Sequence, residues 1–301
     1  MQLNLRLGNS TILFLADNYI PWDDRLAAFC ASGGKKQPDL TYTIRTAGTL
    51  RPDGHHCLKR TPFYQVYMDG QRESWYYTFP DGTVYAACRE DSENRFSIWY
   101  AEDFLSYLHG NTTLFYLSAL EYRMVRRGDM ILHASAILDQ GQALLFSAPS
   151  GMGKSTQAAL WQRLRNSRLA NGDRVLLHRE NDSWLACGWP MAGSSGVSIP
   201  YHTPVRALIL LDKSSQNTAR RLPSGEAWNL VGKEIVLRPW EQTDLSLADG
   251  LLRNFCRNTP VYAYSCRKDE SAVTALYDVL ERDGLYSCKN SAACSFPIGQ
   301  G

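Results

Sequence analysis

The chain has 301 residues, of which 44% are hydrophobic and 21% charged, and its formal net charge is +2. These values are typical of a globular protein with one large domain or two ordinary ones. The small net charge argues against nucleic-acid binding, and the apolar runs are too short to span a bilayer. We therefore expect neither a nucleic-acid nor a membrane partner.

The eight cysteines are scattered along the chain. They form no CxxC pair, which argues against zinc-ribbon and thioredoxin-like sites. Apolar and polar residues alternate over residues 1–6, so we expect no signal peptide there. Dispersed cysteines in a chain without such a signal predict reduced thiols and a cytoplasmic location.

Residues 1–110 are predicted to be mostly β, because short runs rich in β-branched and aromatic residues alternate with turn residues. The runs with this pattern are 1–7, 11–15, 40–46, 63–68, 73–79, 83–88 and 96–100. Asp-Gly pairs at 69–70 and 81–82 predict hairpin turns. Aromatic residues at alternating spacing are typical of a sheet face that packs on a core, and a substrate surface is the alternative.

From residue 111 onward, segments with helical periodicity alternate with apolar strands. Helices are predicted over 112–127, 157–164, 224–231, 243–258 and 270–282, and strands over 130–138, 143–146, 171–177, 184–187, 205–211 and 261–264. The strand at 205–211 is the most apolar and is expected to be central. We divide the chain into a β-rich N-terminal domain (1–110), a second domain (111–284) and a flexible tail (285–301).

A glycine-rich loop joins an apolar strand to a helix and reads Ala-Pro-Ser-Gly-Met-Gly-Lys-Ser-Thr over residues 148–156. Strand, glycine turn, lysine, hydroxyl and helix are the layout of a phosphate-binding loop, although Ala148 stands where glycine is usual. Backbone N–H groups can hold phosphate where glycines leave the approach open, and a lysine and a hydroxyl can add charge and a Mg²⁺ ligand. The residues predicted to bind the phosphates of a nucleotide are Ser150, Gly151, Met152, Gly153, Lys154, Ser155 and Thr156.

Two residues outside the loop indicate which reaction the site could carry out on a bound nucleotide. Asp173 follows the loop helix and flanks an apolar strand, where a carboxylate can hold Mg²⁺ or accept a proton from an attacking hydroxyl. The alternative is an ordinary turn aspartate, since residues 171–173 have turn composition. His133 lies in a strand expected to enter the same sheet and to face the γ-phosphate, whereas most lone histidines in apolar strands are core residues. Arg174 and Arg206 are candidates for stabilising transition-state charge or for surface ion pairs.

In order and spacing, residues 132–136, 147–156 and 171–174 resemble the catalytic domain of HPr kinase/phosphorylase, which is similar in fold to ATP-dependent phosphoenolpyruvate carboxykinase. The resemblance extends over residues 128–282. It implies a mixed-sheet P-loop kinase domain of the α+β or α/β class, preceded by the β-rich segment. It also implies ATP and Mg²⁺ as cofactors, His133, Lys154 and Asp173 as catalytic residues, and Ser155 and Asp173 as Mg²⁺ ligands.

The bacterial HPr enzymes have a pair of adjacent aspartates where this chain has Gly172 and Asp173. The chain therefore resembles divergent HPr kinase-like proteins, among them the lasso-peptide kinases. This resemblance implies ATP-dependent phosphorylation of a hydroxyl, a serine of a peptide or small protein, with the loop at 188–196 over the substrate side. The alternatives are a non-catalytic ATP-binding module and carboxykinase-like phosphotransfer to a small molecule. The sequence is compatible with both a monomer and an oligomer.

Overall fold

The computed structural model of the protein describes residues 1–17, 24–31, 37–53, 56–104, 111–149 and 151–286. Within these ranges the chain is mixed α+β and forms two large mixed sheets, one in each half. None of the described helices is long and apolar enough to cross a membrane. The six cysteines in the described part are free thiols.

The N-terminal half forms an eight-stranded sheet. Its strands are β1 (Gln2–Leu7), β2 (Ser10–Ala16), β3 (Leu40–Ala47), β4 (His56–Arg60), β5 (Tyr64–Asp69), β6 (Arg72–Thr78), β7 (Val84–Ser92) and β8 (Arg95–Ala101). Their order across the sheet is β1-β2-β3-β8-β7-β6-β5-β4, with β3 parallel to both of its neighbours. A short helix, α1 (Asp24–Ala27), lies between β2 and β3 in the chain. The meander predicted over residues 63–100 is present as the antiparallel run from β5 to β8.

The aromatic residues of this sheet build a core, which confirms the first of the two interpretations drawn from their spacing. Tyr42 stacks between Phe14 and Phe96, with ring centroids 4.9 Å apart on each side. Trp75 and Tyr77 are also buried, and the whole cluster packs against the helix that follows the sheet. Large apolar area removed from water is the main source of stability in such a layer.

That helix is shorter than predicted. α2 (Asn111–Ser118) ends where Ala119 adopts a left-handed conformation with φ 49°, so the helix predicted over 112–127 is wrong beyond Ser118. Two 3₁₀ turns, Leu120–Tyr122 and Met124–Arg127, carry the chain on. The Ser118 hydroxyl accepts a hydrogen bond from the backbone N–H of Leu120, which replaces a helical bond and stabilises the break.

The second half forms the second sheet with helices packed on it. Its strands are β9 (Asp129–Asp139), β10 (Gln142–Ser147), β11 (Arg168–Asn171), β12 (Arg174–Glu180), β13 (Ser183–Cys187), β14 (His202–Lys213), β15 (Thr218–Arg221) and β16 (Val261–Cys266). Its helices are α3 (Lys154–Arg165), α4 (Ser224–Val231), α5 (Gln242–Asn258) and α6 (Ser271–Arg282).

Two long strands organise this sheet. β9 pairs antiparallel with β10, β11 and β12, and β14 pairs with β13 and lies parallel to β10 and β16. The central position predicted for the strand at 205–211 is therefore confirmed. The strand predicted over 171–177 is interrupted at residues 172 and 173, where β11 turns into β12. This turn lies at the same end of the sheet as the glycine loop, because Ala134, which is paired with Ser147, also donates its backbone N–H to the Asp173 carbonyl.

The start of the predicted tail belongs to the folded domain. Tyr286 is buried, its ring lies 4.7 Å from that of Tyr277, and its hydroxyl donates to Asp139 Oδ2 at 2.6 Å. The Arg206 guanidinium donates to the Leu285 carbonyl. The prediction of a flexible tail from residue 285 is therefore wrong for Leu285 and Tyr286. Residues 287–301 lie outside the described part of the chain.

Candidate functional site

The glycine loop connects the end of β10 at Ser147 to the start of α3 at Lys154. Gly151 and Gly153 have φ values of 77° and 114°, which other residues rarely adopt, so the backbone conformation requires glycine at both positions. A Cβ atom at either position would meet nothing within 4 Å, so the space beside the loop is open. Ser150, predicted to bind phosphate, lies outside the described residues.

Lys154 is the charged residue of this loop. Lys154 is buried, and its Nζ atom donates a hydrogen bond to the carbonyl of Ala148 at 2.7 Å. Burial lowers the pKa of Lys154, and the negative charges of Asp173 and Glu234 oppose that shift. The lysine therefore folds back onto its own loop and lies within electrostatic reach of two carboxylates.

The first turn of α3 presents the groups that a phosphate needs. No side chain caps its start at Gly153, and the first N–H groups of a helix lack partners within the helix. Ser155 is exposed, Thr156 is half-buried, and Met152 packs on the core next to the helix. The helix N-terminus adds a partial positive charge, so this end of α3 favours an anion.

His133 lies in β9 between two carboxylates. Its Nε2 is 3.2 Å from Asp173 Oδ1, and its Nδ1 is 3.2 Å from Glu234 Oε2. The backbone carbonyl of His133 accepts a hydrogen bond from the Ser147 hydroxyl at 2.7 Å, which fixes the strand to the start of the glycine loop. His133 is therefore a partly buried histidine held between two carboxylates, and its role at the γ-phosphate stays a prediction.

Asp173 is held by the turn in front of β12. The Asn171 Oδ1 atom accepts hydrogen bonds from the backbone N–H groups of Asp173 and Arg174 at 2.9 and 3.0 Å. The Arg174 Nη1 atom donates to Asp173 Oδ2 at 2.9 Å. The hydrogen bond from His133 lowers the pKa of Asp173, and the positive charges of Arg174 and Lys154 lower it further. Asp173 is thus held as a carboxylate.

Arg174 also reaches a second carboxylate, which the sequence did not indicate. Its Nε lies 3.5 Å from Glu121 Oε2, on the 3₁₀ turn after α2. Burial raises the pKa of Glu121, and the charge of Arg174 opposes that shift. The helix break at Ala119 is what brings this turn to the site. Neither Glu121 nor its neighbours in the sequence belong to a motif that would predict a contact with Arg174.

Arg206, the other arginine candidate, lies elsewhere. It opens the parallel part of β14, at the opposite end of β10 from the glycine loop. Its Nη2 donates to the Asp139 carbonyl at 3.0 Å, and its guanidinium stacks 3.8 Å from the centre of the Tyr286 ring. Arg206 therefore anchors the C-terminal segment from a buried position, which is neither of the two roles considered for it.

The glycine/serine loop at 188–196 packs directly on the turn that carries Asp173. A Cβ atom at Gly193 would lie 2.5 Å from Asp173 Cβ, so the Gly193 backbone lies directly against the Asp173 side chain. The Asn171 side chain donates to the Trp189 and Met191 carbonyls at 2.7 and 3.0 Å, which ties the loop down. The Ser195 hydroxyl donates to the Ala192 carbonyl within the loop.

Within the described residues, no group of three or more His, Cys, Asp or Glu side chains is arranged to hold a metal ion. This does not exclude Mg²⁺ of the kind bound by kinases, which needs one or two protein ligands because substrate phosphates and water supply the rest. The pair Ser155 and Asp173 is of that type and stays a prediction.

No protein-family model matches the chain, and no curated protein matches its sequence. Among solved structures, it is similar to the Hpr(Ser) kinase/phosphatase from Coxiella burnetii, with 18% identity and a TM-score of 0.25. The match covers 41% of this chain and 94% of that chain.

Proposed function

We propose that the chain is a kinase of the P-loop type that transfers the γ-phosphate of ATP to a hydroxyl, a serine of a peptide or small protein. The strongest support is the proximity of Lys154, on the glycine loop, to the cluster of His133, Asp173 and Arg174. The Ser147 hydroxyl, at the start of that loop, donates to the His133 carbonyl at 2.7 Å, and His133 Nε2 lies 3.2 Å from Asp173 Oδ1. A group suited to phosphate and groups suited to an attacking hydroxyl therefore share one site.

The residues at the loop fit a nucleoside triphosphate with Mg²⁺. Open space borders Gly151 and Gly153, the start of α3 has no side-chain cap, and Lys154 supplies a cation. Ser155 and Asp173 would hold Mg²⁺, which when bound supplies positive charge to the terminal phosphates. Lys154 would exchange its bond to the Ala148 carbonyl for one to a phosphate oxygen. The helix N-terminus would hold the β-phosphate.

The cluster beyond the loop would receive the acceptor. The hydroxyl oxygen would form a bond to the γ-phosphorus as the bond to the bridging oxygen of ADP breaks. Asp173 would either accept the hydroxyl proton or bind Mg²⁺, and in the second case the proton leaves with the transferred phosphate. A carboxylate with a lowered pKa is a weak base. Phosphoryl transfer depends mainly on positioning and charge stabilisation, so a weak base is sufficient. Arg174 and His133 would hold Asp173 and contribute positive charge.

A second candidate is a non-catalytic nucleotide-binding module. The observation that favours it is the absence of an acid at Gly172, a position that the neighbouring loop leaves no room to fill. Such a module would keep the phosphate-binding loop and lack transfer. The two candidates make opposite predictions for phosphate transfer and the same prediction for ATP binding.

The test uses the full chain with radiolabelled ATP and Mg²⁺, offered a panel of serine peptides and small hydroxyl compounds. We expect label transfer by the wild type and none by Lys154→Ala, with Lys59→Ala, an exposed lysine on the edge strand β4 of the N-terminal sheet, as the matched control. Transfer retained by Lys154→Ala contradicts the kinase. ATP binding by calorimetry without transfer to any acceptor supports the second candidate.

A further inference from the structure

Glu234 is a site residue that neither composition nor motif indicates. It ends the 3₁₀ turn Gly232–Glu234, and its side chain is only 15% exposed. Its Oε2 atom lies 3.2 Å from Nδ1 of His133, on the side of the ring away from Asp173. A carboxylate only accepts hydrogen bonds, so this contact, like that of Nε2 with Asp173, is made by a ring N–H group.

The segment that carries Glu234 is fixed to the strand of His133. We call residues 234–240 the strap. Ile235 forms a backbone bridge with Leu132, the residue before His133, and the Val236 N–H donates to the Ile131 carbonyl at 2.9 Å. The strap therefore runs beside β9 like a short extra strand, and this pairing sets where Glu234 lies.

The other end of the strap is fixed to the N-terminal sheet. Arg238 is buried, and its guanidinium pairs with Glu73 of β6 and with Asp244 of α5. Trp240 donates to the same Glu73 at 2.9 Å, and its ring lies 5.7 Å from that of Trp75. One short segment thus spans from the first sheet to the histidine of the site.

We propose that Glu234 is a positioning residue, which holds the His133 ring so that Nε2 faces Asp173, and that the strap holds Glu234 from the N-terminal sheet. The proposal rests on the kinase function for its kinetic part alone. An imidazole with a single hydrogen bond can rotate or exchange its nitrogens. A second bond at Nδ1 fixes the orientation of the ring.

Two substitutions separate the hydrogen bond from the mere presence of a side chain. Glu234→Gln keeps an acceptor oxygen at the same reach, whereas Glu234→Leu keeps similar volume without an acceptor. We expect the Leu variant to lower kcat by about 10- to 100-fold, the size of a lost hydrogen bond to a charged group, with KM for ATP unchanged. The Gln variant should retain most of the activity. Glu226→Gln, an exposed glutamate paired with Arg220, is the matched control.

A double substitution tests whether Glu234 acts through His133. If it does, Glu234→Leu added to His133→Gln causes no further loss of kcat, because the residue that Glu234 holds is already absent. Additive losses in the double variant would overturn the proposal. A Glu234→Leu variant with wild-type kcat would overturn it as well.

A measurement that needs no turnover keeps this proposal distinct from the kinase assignment. The ¹⁵N chemical shifts of the His133 ring, assigned by the signal that disappears in His133→Gln, report which nitrogen carries a proton. We expect a protonated Nδ1 in the wild type and in Glu234→Gln, and a loss of that state in Glu234→Leu. An unprotonated Nδ1 in the wild type overturns the proposal even if the kinase is active. A protonated Nδ1 that depends on Glu234 supports it even if no acceptor is phosphorylated.

Discussion

Ser195 occupies the space that a side chain at Gly172 would need. A Cβ atom built on Gly172 would lie 2.0 Å from the Ser195 hydroxyl oxygen and 2.4 Å from its Cβ. The hydroxyl itself is engaged with the Ala192 carbonyl, so it has little freedom to move aside. The loop at 188–196 therefore leaves no room for a side chain at position 172.

This contact predicts that Gly172→Asp alone destabilises the protein. Overpacking in a tight contact costs about 1–3 kcal/mol, so the unfolding temperature should fall. Adding Ser195→Gly removes the colliding atoms and should recover most of the loss. Thermal unfolding followed by circular dichroism measures both variants. A Gly172→Asp variant as stable as the wild type would show that the loop at 188–196 yields easily.

Asp173 predicts a dependence of stability on pH. Its pKa is lower in the folded chain than in the unfolded chain, because the hydrogen bond from His133 and the charge of Arg174 favour the carboxylate. The stabilisation is therefore complete above the unfolded pKa of about 4 and is lost as the pH falls through the folded pKa. Asp173→Asn has no such group to titrate.

The measurement compares urea unfolding of the wild type and Asp173→Asn at about pH 5 and about pH 2.5. We expect the wild type to exceed the variant in stability at the higher pH, with the difference shrinking at the lower one. Asp182→Asn, a nearly fully exposed carboxylate on the turn after β12, is the control and should show a much smaller change. A difference that grows in acid would mean that the Asp173 pKa is raised.

Arg174 and Arg206 should give opposite results on substitution by Gln. Arg174 touches Asp173 and lies near Glu121, so its loss should lower kcat by about 100-fold, as for other groups that stabilise transition-state charge. Arg206 anchors the segment at Leu285 and Tyr286, so its loss should leave kcat unchanged and lower the unfolding temperature. Steady-state kinetics and thermal unfolding of both variants decide this. A large fall of kcat in Arg206→Gln would contradict the assignment.

Features encoded by neighbouring residues could be predicted from the sequence. The helix predicted over 224–231 has those bounds, and the glycine loop lies between a strand and a helix as its pattern requires. Periodicity and turn residues are local, so they determine an element wherever tertiary contacts do not oppose it. The helix predicted over 112–127 failed because Ser118 and the left-handed Ala119 break a periodic run whose apolar residues still face the core.

Contacts between distant residues could not be predicted. Glu234 is 101 residues from His133 in the chain. Glu121 is 53 positions before Arg174 and lies on a 3₁₀ turn that follows the helix break at Ala119. Neither glutamate stands in a motif, and a glutamate on a surface turn has the same local sequence. Arg206 lies away from the glycine loop because it stands near the end of β14 that is opposite to that loop. The parallel pairing of β14 with β10 determines which end of β14 this is.

Arg238 is the centre of the buried charge network that joins the two sheets, and its removal should destabilise the protein strongly. Glu73 and Asp244 are buried on either side of it, so Arg238→Met would leave carboxylates in the interior with fewer positive partners. Breaking a buried pair in this way costs about 3–5 kcal/mol. Arg163→Met, which breaks the exposed pair with Glu270, should cost less than about 1 kcal/mol.

Urea unfolding of the two variants measures this difference, with near-ultraviolet circular dichroism as a second probe of tertiary packing. Because the strap carries Glu234, we also expect Arg238→Met to lower kcat in protein that remains folded, whereas Arg163→Met should not. Equal midpoints for the two variants would mean that the carboxylates find other partners or take up protons. In that case the network contributes little to holding the N-terminal sheet against the site.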